Sequence, residues 1–445
     1  MFLARLLVLF SLVCISCAHS SFEQKQLKHA LDFATSNRLE LEILLQHYTY
    51  DSLKLEAAKF LIRNMPHCYS YQQGGEMDSV KRVRTYYSPF GQIDQTYARR
   101  WGHYTYRNLP KIYDAHIITA EYLIDNIDRA FDNWQKRPWN RSLSFEDFCE
   151  YLLPYRIGDE PLEEWRELYE KKYGYLLDSI YKGSDVVEAA NLVSRHLQEP
   201  VFIYCEDFEL PHIGPRYLFS HRYGSCVDAA DIVTYAFRAV GIPCMEDTDA
   251  RGGHVWNVVR DTTGRDVPIW YIASEAVRGS RDTGGYKRGK VYRPMYGFQE
   301  EKAAHLGDDW KSMPLLFYHP YMKDVSYAYY PDTLRILTGI PDDEVCYLAH
   351  FHEAHWWSCA CARSASGKME IPNLESELVY LPMKYTKGNY YPSGFPFWFA
   401  GGEINTFLPD WEKTVKVRLY RKYPVYGWLR SFMGHVVWEV LLREV

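Results

Sequence analysis

The chain has 445 residues, enough for two to four domains, and its 47% hydrophobic content supports a core of ordinary size. A formal net charge of −6 leaves no basic footprint, so nucleic acid is excluded as the expected partner. The 38 Tyr and 13 Trp suit carbohydrate- or peptide-binding surfaces as well as tyrosine-edged β-sandwiches, so composition alone does not separate an enzyme from a binding protein.

Residues 1–17 read as a secretory leader. Arg5 supplies the positive start, and the apolar run from Leu6 to Val13 is too short to span a membrane. Ile15-Ser16-Cys17 resembles a bacterial lipobox. Acylation of Cys17 would anchor the mature protein in the cell envelope; the alternative is soluble secretion after cleavage at Ala18. No later segment reaches the roughly 18 consecutive apolar residues of a membrane helix.

Residues 21–198 carry helical periodicity, strongest over Leu39–Gln46, Ser52–Arg63 and Ile117–Trp134. Ser144-Phe-Glu-Asp147 makes a capping-box-like start, and a further helix is predicted over Glu163–Asp178. This helical region is expected to pack on residues 200–297 and to form one wall of a cleft there.

Residues 200–297 carry the candidate chemistry. Gly224-Ser225-Cys226 precedes the periodic apolar run Ala229, Ala230, Ile232, Val233, Ala236, Phe237 and Val240, and Gly241 and Pro243 end it. The pattern predicts an amphipathic helix with Ser225 as N-cap and Cys226 in its first turn, where free N–H groups and the helix dipole favour a thiolate. Asp228 reads as a capping-turn acid.

His254 then opens a β-rich stretch to Asp261, Thr262-Thr-Gly-Arg265 supplies a turn, and Val267–Ile272 returns as a second strand. A cysteine at a helix start and a histidine on a following hairpin are the parts of a nucleophile and base pair. Trp256 is expected to pack in the core beside them. Asp261 and Asp266 read as ordinary turn residues, which leaves Glu275 as the nearest carboxylate at the histidine's end of the hairpin.

The series Gly-Ser-Cys226, Gly-Ile-Pro243 and Gly-Gly-His254-Val-Trp resembles the transglutaminase-like superfamily of Cys-His-Asp thiol enzymes over about residues 215–295. Asn37-Arg-Leu-Glu-Leu-Glu42, the run from Ala57 to Pro66, and Leu153-Pro-Tyr-Arg156 resemble the helical leader of secreted members from Bacteroidetes-type bacteria. The resemblance implies that Cys226 attacks a peptide or Gln-type amide, that His254 acts as base and then acid, and that hydrolysis is favoured over amine transfer. The superfamily's third residue is usually an Asp near the end of the second strand. This chain reads Trp270-Tyr-Ile-Ala-Ser-Glu275 there, so the orienting role falls to Glu275. The alternative is a non-catalytic envelope protein that keeps the fold to bind glycan or peptide.

Beyond a linker near Gly297–Gly307, residues 309–445 show short β-rich runs: Val345–Phe351, Leu378–Leu381, Phe395–Phe399, Val415–Tyr420 and Val436–Leu442. Their spacing predicts a β-sandwich suited to attachment to a glycan or partner. Within it Cys346, His350, His352, His355, Cys359 and Cys361 invite a metal, but they match no common zinc spacing, and the alternation of His350 with His352 and of Cys359 with Cys361 fits one face of a sheet. No metal or cofactor is expected. The cysteines outside the leader show no disulfide framework, and Cys226 must stay free. The fold class read from the sequence is α+β: a helical N-terminal region, a transglutaminase-like (papain-like) α/β core and a C-terminal β-sandwich.

Overall fold

Helices fill the first half of the chain and antiparallel sheets most of the second. The structure is a computed structural model describing residues 21–88, 92–101, 103–199, 201–205, 208–250, 253–270, 275–281, 287–300, 313–337, 340–352, 355–408, 414–419 and 438–443. The leader with Cys17 and hairpin positions 271–274 lie outside them, as does much of the predicted linker. The α+β class stands.

In the N-terminal half, α1 (Arg38–His47), α2 (Ser52–Asn64) and α3 (Ala120–Lys136) fall within three residues of their predicted bounds. The caps explain the starts: Asp51 accepts from the Lys54 N–H at 3.1 Å, and Thr119 from that of Tyr122 at 3.2 Å. Ser144 caps a further helix, Phe145–Tyr151, as the sequence predicts. These helices share a core around Leu61, Leu123, Ile127 and Phe148. Helix α4 (Arg166–Tyr175) is shorter than predicted, because a π-turn over Leu176–Ile180 takes up its end; α5 (Val186–Leu197) comes next.

Helix α6 (Cys226–Ala239) is the central element, with almost every residue buried. Its Ile232, Val233, Ala236 and Phe237 pack between α4, α5 and the adjoining sheet, in one cluster with Tyr169, Val193, Val259 and Ile269. Ile232, Val233 and Phe237 each contribute roughly 1.5–3 kcal/mol by leaving water, and Phe237→Ala would cost about 3–5 kcal/mol with the void it leaves. Gly241 stops the helix at φ +80°, and a Cβ there would lie 2.7 Å from the Asn133 carbonyl. The Gly241 carbonyl accepts from Trp139 Nε1 and Asn140 Nδ2, both at 2.9 Å, which pins the end of α6 to the N-terminal half.

The chain then enters a five-stranded antiparallel sheet. Its strands are β1 (Cys244–Asp249), β2 (Val255–Arg260), β3 (Asp266–Ile269), β4 (Val291–Pro294) and β5 (Met322–Asp324), in the order β3-β2-β1-β4-β5. The predicted hairpin is β2–β3. Strand β5 comes from beyond the expected end of this region at 297: the segment after residue 313 returns to pair Arg293 with Lys323.

The C-terminal strands are β6 (Asp332–Leu337), β7 (Val345–His352), β8 (His355–Arg363), β9 (Lys368–Leu374), β10 (Leu378–Thr386), β11 (Asn389–Pro392), β12 (Phe397–Ala400) and β13 (Glu403–Thr406). A six-stranded sheet runs β8-β7-β10-β12-β13, with β11 also on β10, while β6 pairs with β9. Cys346, Leu348 and Phe397 of the large sheet share a core with Leu334 and Met369 of the small one. Last in the chain, β14 (Thr414–Leu419) pairs antiparallel with β15 (Trp438–Arg443).

The His/Cys tract lies on the paired strands β7 and β8, where a register shift overturns the expected alternation for the cysteines only; His350 and His352 share a face, their rings 6.2 Å apart. Leu348 pairs with Ala360 but Ala349 with Ser358, which leaves Cys359 as an extra residue. Cys359 therefore joins the inner core with Cys346, while Cys361 packs on the opposite side near Tyr347. Among the described residues no three His, Cys, Asp or Glu side chains stand close enough to hold a metal.

Candidate functional site

Cys226 is the first residue of α6, as predicted, and the turn before it is built around a carboxylate. Asp228 Oδ2 accepts from the Ser225 N–H at 2.8 Å and from the Ser225 hydroxyl at 3.2 Å. Gly224 is required beneath this loop, since a Cβ there would fall 2.3 Å from the same oxygen. Asp228 does more than cap. Arg84 Nη1 donates to it at 2.8 Å, and both side chains are at least 96% buried, so a salt bridge from the N-terminal half locks the start of α6. Asp228 is thus a buried structural ion as well as the capping acid read from sequence.

His254 immediately precedes β2. Its carbonyl accepts from the Thr248 hydroxyl at 3.0 Å and the Asp249 N–H at 3.3 Å. Its ring lies 5.6 Å from that of Trp256, nearly parallel, and 4.9 Å from that of Trp270, edge-on. Trp256 is fully buried, as expected, and its Nε1 donates to the Tyr329 hydroxyl at 2.9 Å. Tyr329 in turn donates to Asp247 at 2.7 Å, and Arg293 grips that carboxylate with two bonds of 2.6 and 2.9 Å. The histidine thus rests on an aromatic wall whose back is tied to a buried ionic network.

Topology places the two side chains at one end of the layer. Helix α6 ends at Gly241, β1 starts beside that end, and the Arg260 N–H at the finish of β2 donates to Pro243 at 3.1 Å. Strand β2 therefore runs from the N-terminal end of α6, where Cys226 lies, towards its C-terminal end. Asn257 secures this alignment by donating to the Ala230 carbonyl at 3.0 Å and to the Thr234 hydroxyl at 2.9 Å. Thr234 donates to Glu246 at 2.7 Å. Cys226 is 5% exposed and His254 3%.

Glu275 departs from the role expected of it. Its Oε1 lies 2.6 Å from Arg195 Nη1 on α5, and both side chains are about half exposed. The next residue is fastened by Asn191, which bonds both its N–H and its carbonyl. The strand pairing of Asn257 with Ile269 would set residue 272 across from His254, among positions outside the described residues and without an acid in the sequence.

Asp261 is the turn residue expected, accepting from the Thr263 and Arg265 N–H groups. Asp266 is a correction. It is buried and accepts from Arg293 Nη1 at 2.7 Å and from the Tyr151 hydroxyl at 3.0 Å, because the start of β3 lies under the helix that ends at Tyr151 rather than in solvent. None of the eight cysteines outside the leader, all of them among the described residues, is in a disulfide.

A cavity of about 640 Å³ opens beside the first turn of α6. Ser225, Val227 and Asp228 line it, with Met245 and Glu246 of β1 and, from the N-terminal half, residues such as Arg84 and Arg156. The helical region walls this cavity, which is not the cleft of Cys226 and His254 expected from the sequence. Neither Cys226 nor His254 is among the described lining residues. A dyad that sequence reasoning missed faces this space: His212 Nδ1 lies 2.9 Å from both oxygens of Asp231, which is wholly buried on α6. The available signal was an acid at position 231 in an otherwise apolar helical run, because a buried carboxylate needs a partner. Comparison of the chain with protein-family models, with curated proteins and with solved structures finds no match.

Proposed function

We propose that this chain is an exported thiol enzyme of transglutaminase-like, papain-like design that hydrolyses amide bonds of peptides or Gln side chains through Cys226 and His254. The observation that carries the proposal is the α6–β1–β2 path, which starts the nucleophile's helix and the histidine's strand at the same end of one layer. In the proposed cycle His254 takes the Cys226 thiol proton, and the sulfur attacks the carbonyl carbon. The tetrahedral oxyanion accepts from N–H groups of the first turn of α6, which have no partner within the helix. The imidazolium then protonates the leaving amine, and water, deprotonated by His254, hydrolyses the thioester. Glu275, engaged by Arg195, is left out of the pair.

The proposal extends to export with lipid attachment at Cys17 and to a C-terminal β-sandwich that binds a glycan or protein partner. The core that β6 and β9 share with the large sheet supports the sandwich. A second reading, a non-catalytic envelope protein that binds glycan or peptide, is favoured by the near-complete burial of both side chains and by the engagement of Glu275 elsewhere. Mass-spectrometric profiling of a peptide library with the native protein beside Cys226→Ala separates the two. Cleavage or deamidation by the native protein alone supports the enzyme, and an unchanged library with both proteins refutes it.

A further inference from the structure

Neither Cys226 nor His254 is among the described residues lining the 640 Å³ cavity, yet the fold positions an imidazole at its wall from three directions. His212 Nδ1 is held by both oxygens of Asp231, and the His212 backbone N–H donates to Asp159 Oδ1 at 2.9 Å. The ring packs on Gly158, where a Cβ would fall within 2.7 Å of Nε2, Cδ2 and Cε1. Only glycine leaves room for the ring in this place. Burial alone would discharge the imidazole, but Asp231, with Asp159 and Glu160 behind it, outweighs burial and holds the ring's pKa well above its ordinary value. Nε2 makes no hydrogen bond to a described residue, and the side chain is 24% exposed where it lines the cavity. A fixed N–H donor therefore faces the enclosed space at neutral pH.

The rest of the wall narrows the ligand's chemistry. Three of its charged groups are paired, Arg84 with Asp228, Arg156 with Asp114 and His212 with Asp231, while the Arg238 guanidinium donates to the Cys244, Arg156 and Glu150 carbonyls. An anionic ligand would also meet Asp159, Glu209 and Glu246 on the lining. Tyr69, Tyr106 and Tyr321 supply aromatic surface, and Tyr321 is itself braced by the ring of His67 stacked 3.6 Å away. The volume lies within the roughly 300–1,000 Å³ typical of small-ligand sites. Engaged charges of both signs, a fixed donor and aromatic rings together suit a molecule of hydroxyls and flat apolar ring faces. We propose that this cavity binds a neutral saccharide, with a sugar oxygen accepting from His212 Nε2 and sugar faces resting on the tyrosines. The site is independent of the thiol reading.

Calorimetric titration of the full chain with chitotriose, cellotriose and maltotriose tests the proposal, with trialanine as the peptide control. Binding of at least one sugar is expected. His212→Asn keeps a side-chain amide near the Asp231 carboxylate while deleting Nε2, and should weaken that binding at least tenfold. Tyr69→Leu, at a partly buried position, should weaken it as well in a variant whose far-ultraviolet circular dichroism matches that of the native protein. Cys226→Ala should bind as the native protein does, so failure of the thiol reading and failure of this one remain distinguishable. Absence of binding by all three sugars, binding of trialanine in their place, or sugar binding that survives both His212→Asn and Tyr69→Leu would overturn it.

Discussion

The Arg84–Asp228 bridge makes the sharpest prediction about how the start of α6 is held. It joins residues 144 apart, and its two side chains are 4 and 3% exposed. Removing the carboxylate in Asp228→Ala strands a buried guanidinium, at a cost of about 3–5 kcal/mol, and deletes a capping contact worth about 1 kcal/mol. The sum, about 4–6 kcal/mol, is a large part of the roughly 5–15 kcal/mol that stabilises a domain. The double variant Arg84→Met, Asp228→Asn removes both charges, keeps an N3 side chain able to accept from Ser225, and should cost under about 2 kcal/mol. Urea unfolding followed by far-ultraviolet circular dichroism reads both as shifts of the first midpoint at constant slope. If Asp228→Ala costs less than about 1.5 kcal/mol, or the double variant as much as the single, the bridge does not hold α6 as described.

Gly241→Ala forces a side chain into positive φ and against the Asn133 carbonyl, so thermal unfolding should show a loss of at least about 2 kcal/mol. Trp256→Phe removes the donor to Tyr329, with an expected loss of about 1–3 kcal/mol in the same assay. For His212 the sign follows from a folded pKa raised above the ordinary 6.5. Its contribution is complete below about pH 6.5 and falls as pH rises towards the folded value, by up to about 1.4 kcal/mol per pH unit. The stability gap between the native protein and His212→Asn should therefore be widest in acid and narrow above pH 6.5; a gap that widens with pH would contradict the assignment.

Local signals carried much of this fold. Helix α6 is legible because its cap, apolar period and Gly241 stop all lie within its own stretch of chain, and the β2–β3 hairpin because its turn residues sit between two β-rich runs. The partners of buried charges were not legible in the same way. Nothing near Asp228 announces Arg84, and the loop containing His212 carries no periodicity linking it to Asp231. Asp266 reads as a turn acid until the helix ending at Tyr151 is seen to cover it. Glu275 was assigned by nearness along the chain, whereas its contact with Arg195 depends on where α5 packs. Strand β5 escaped because it joins the central sheet from beyond a long connection.

The central claim is an activated sulfur at Cys226, and the most direct test is the rate of its alkylation by iodoacetamide across pH, read by peptide mass spectrometry. Cys68 and Cys244 are internal references, since burial pushes both thiols up to about 12. Rapid labelling of Cys226 below pH 7 is expected, slowed at least tenfold in His254→Ala while the references are unchanged. Labelling of Cys226 only alongside the buried thiols in alkali, or at a rate indifferent to His254→Ala, would contradict it.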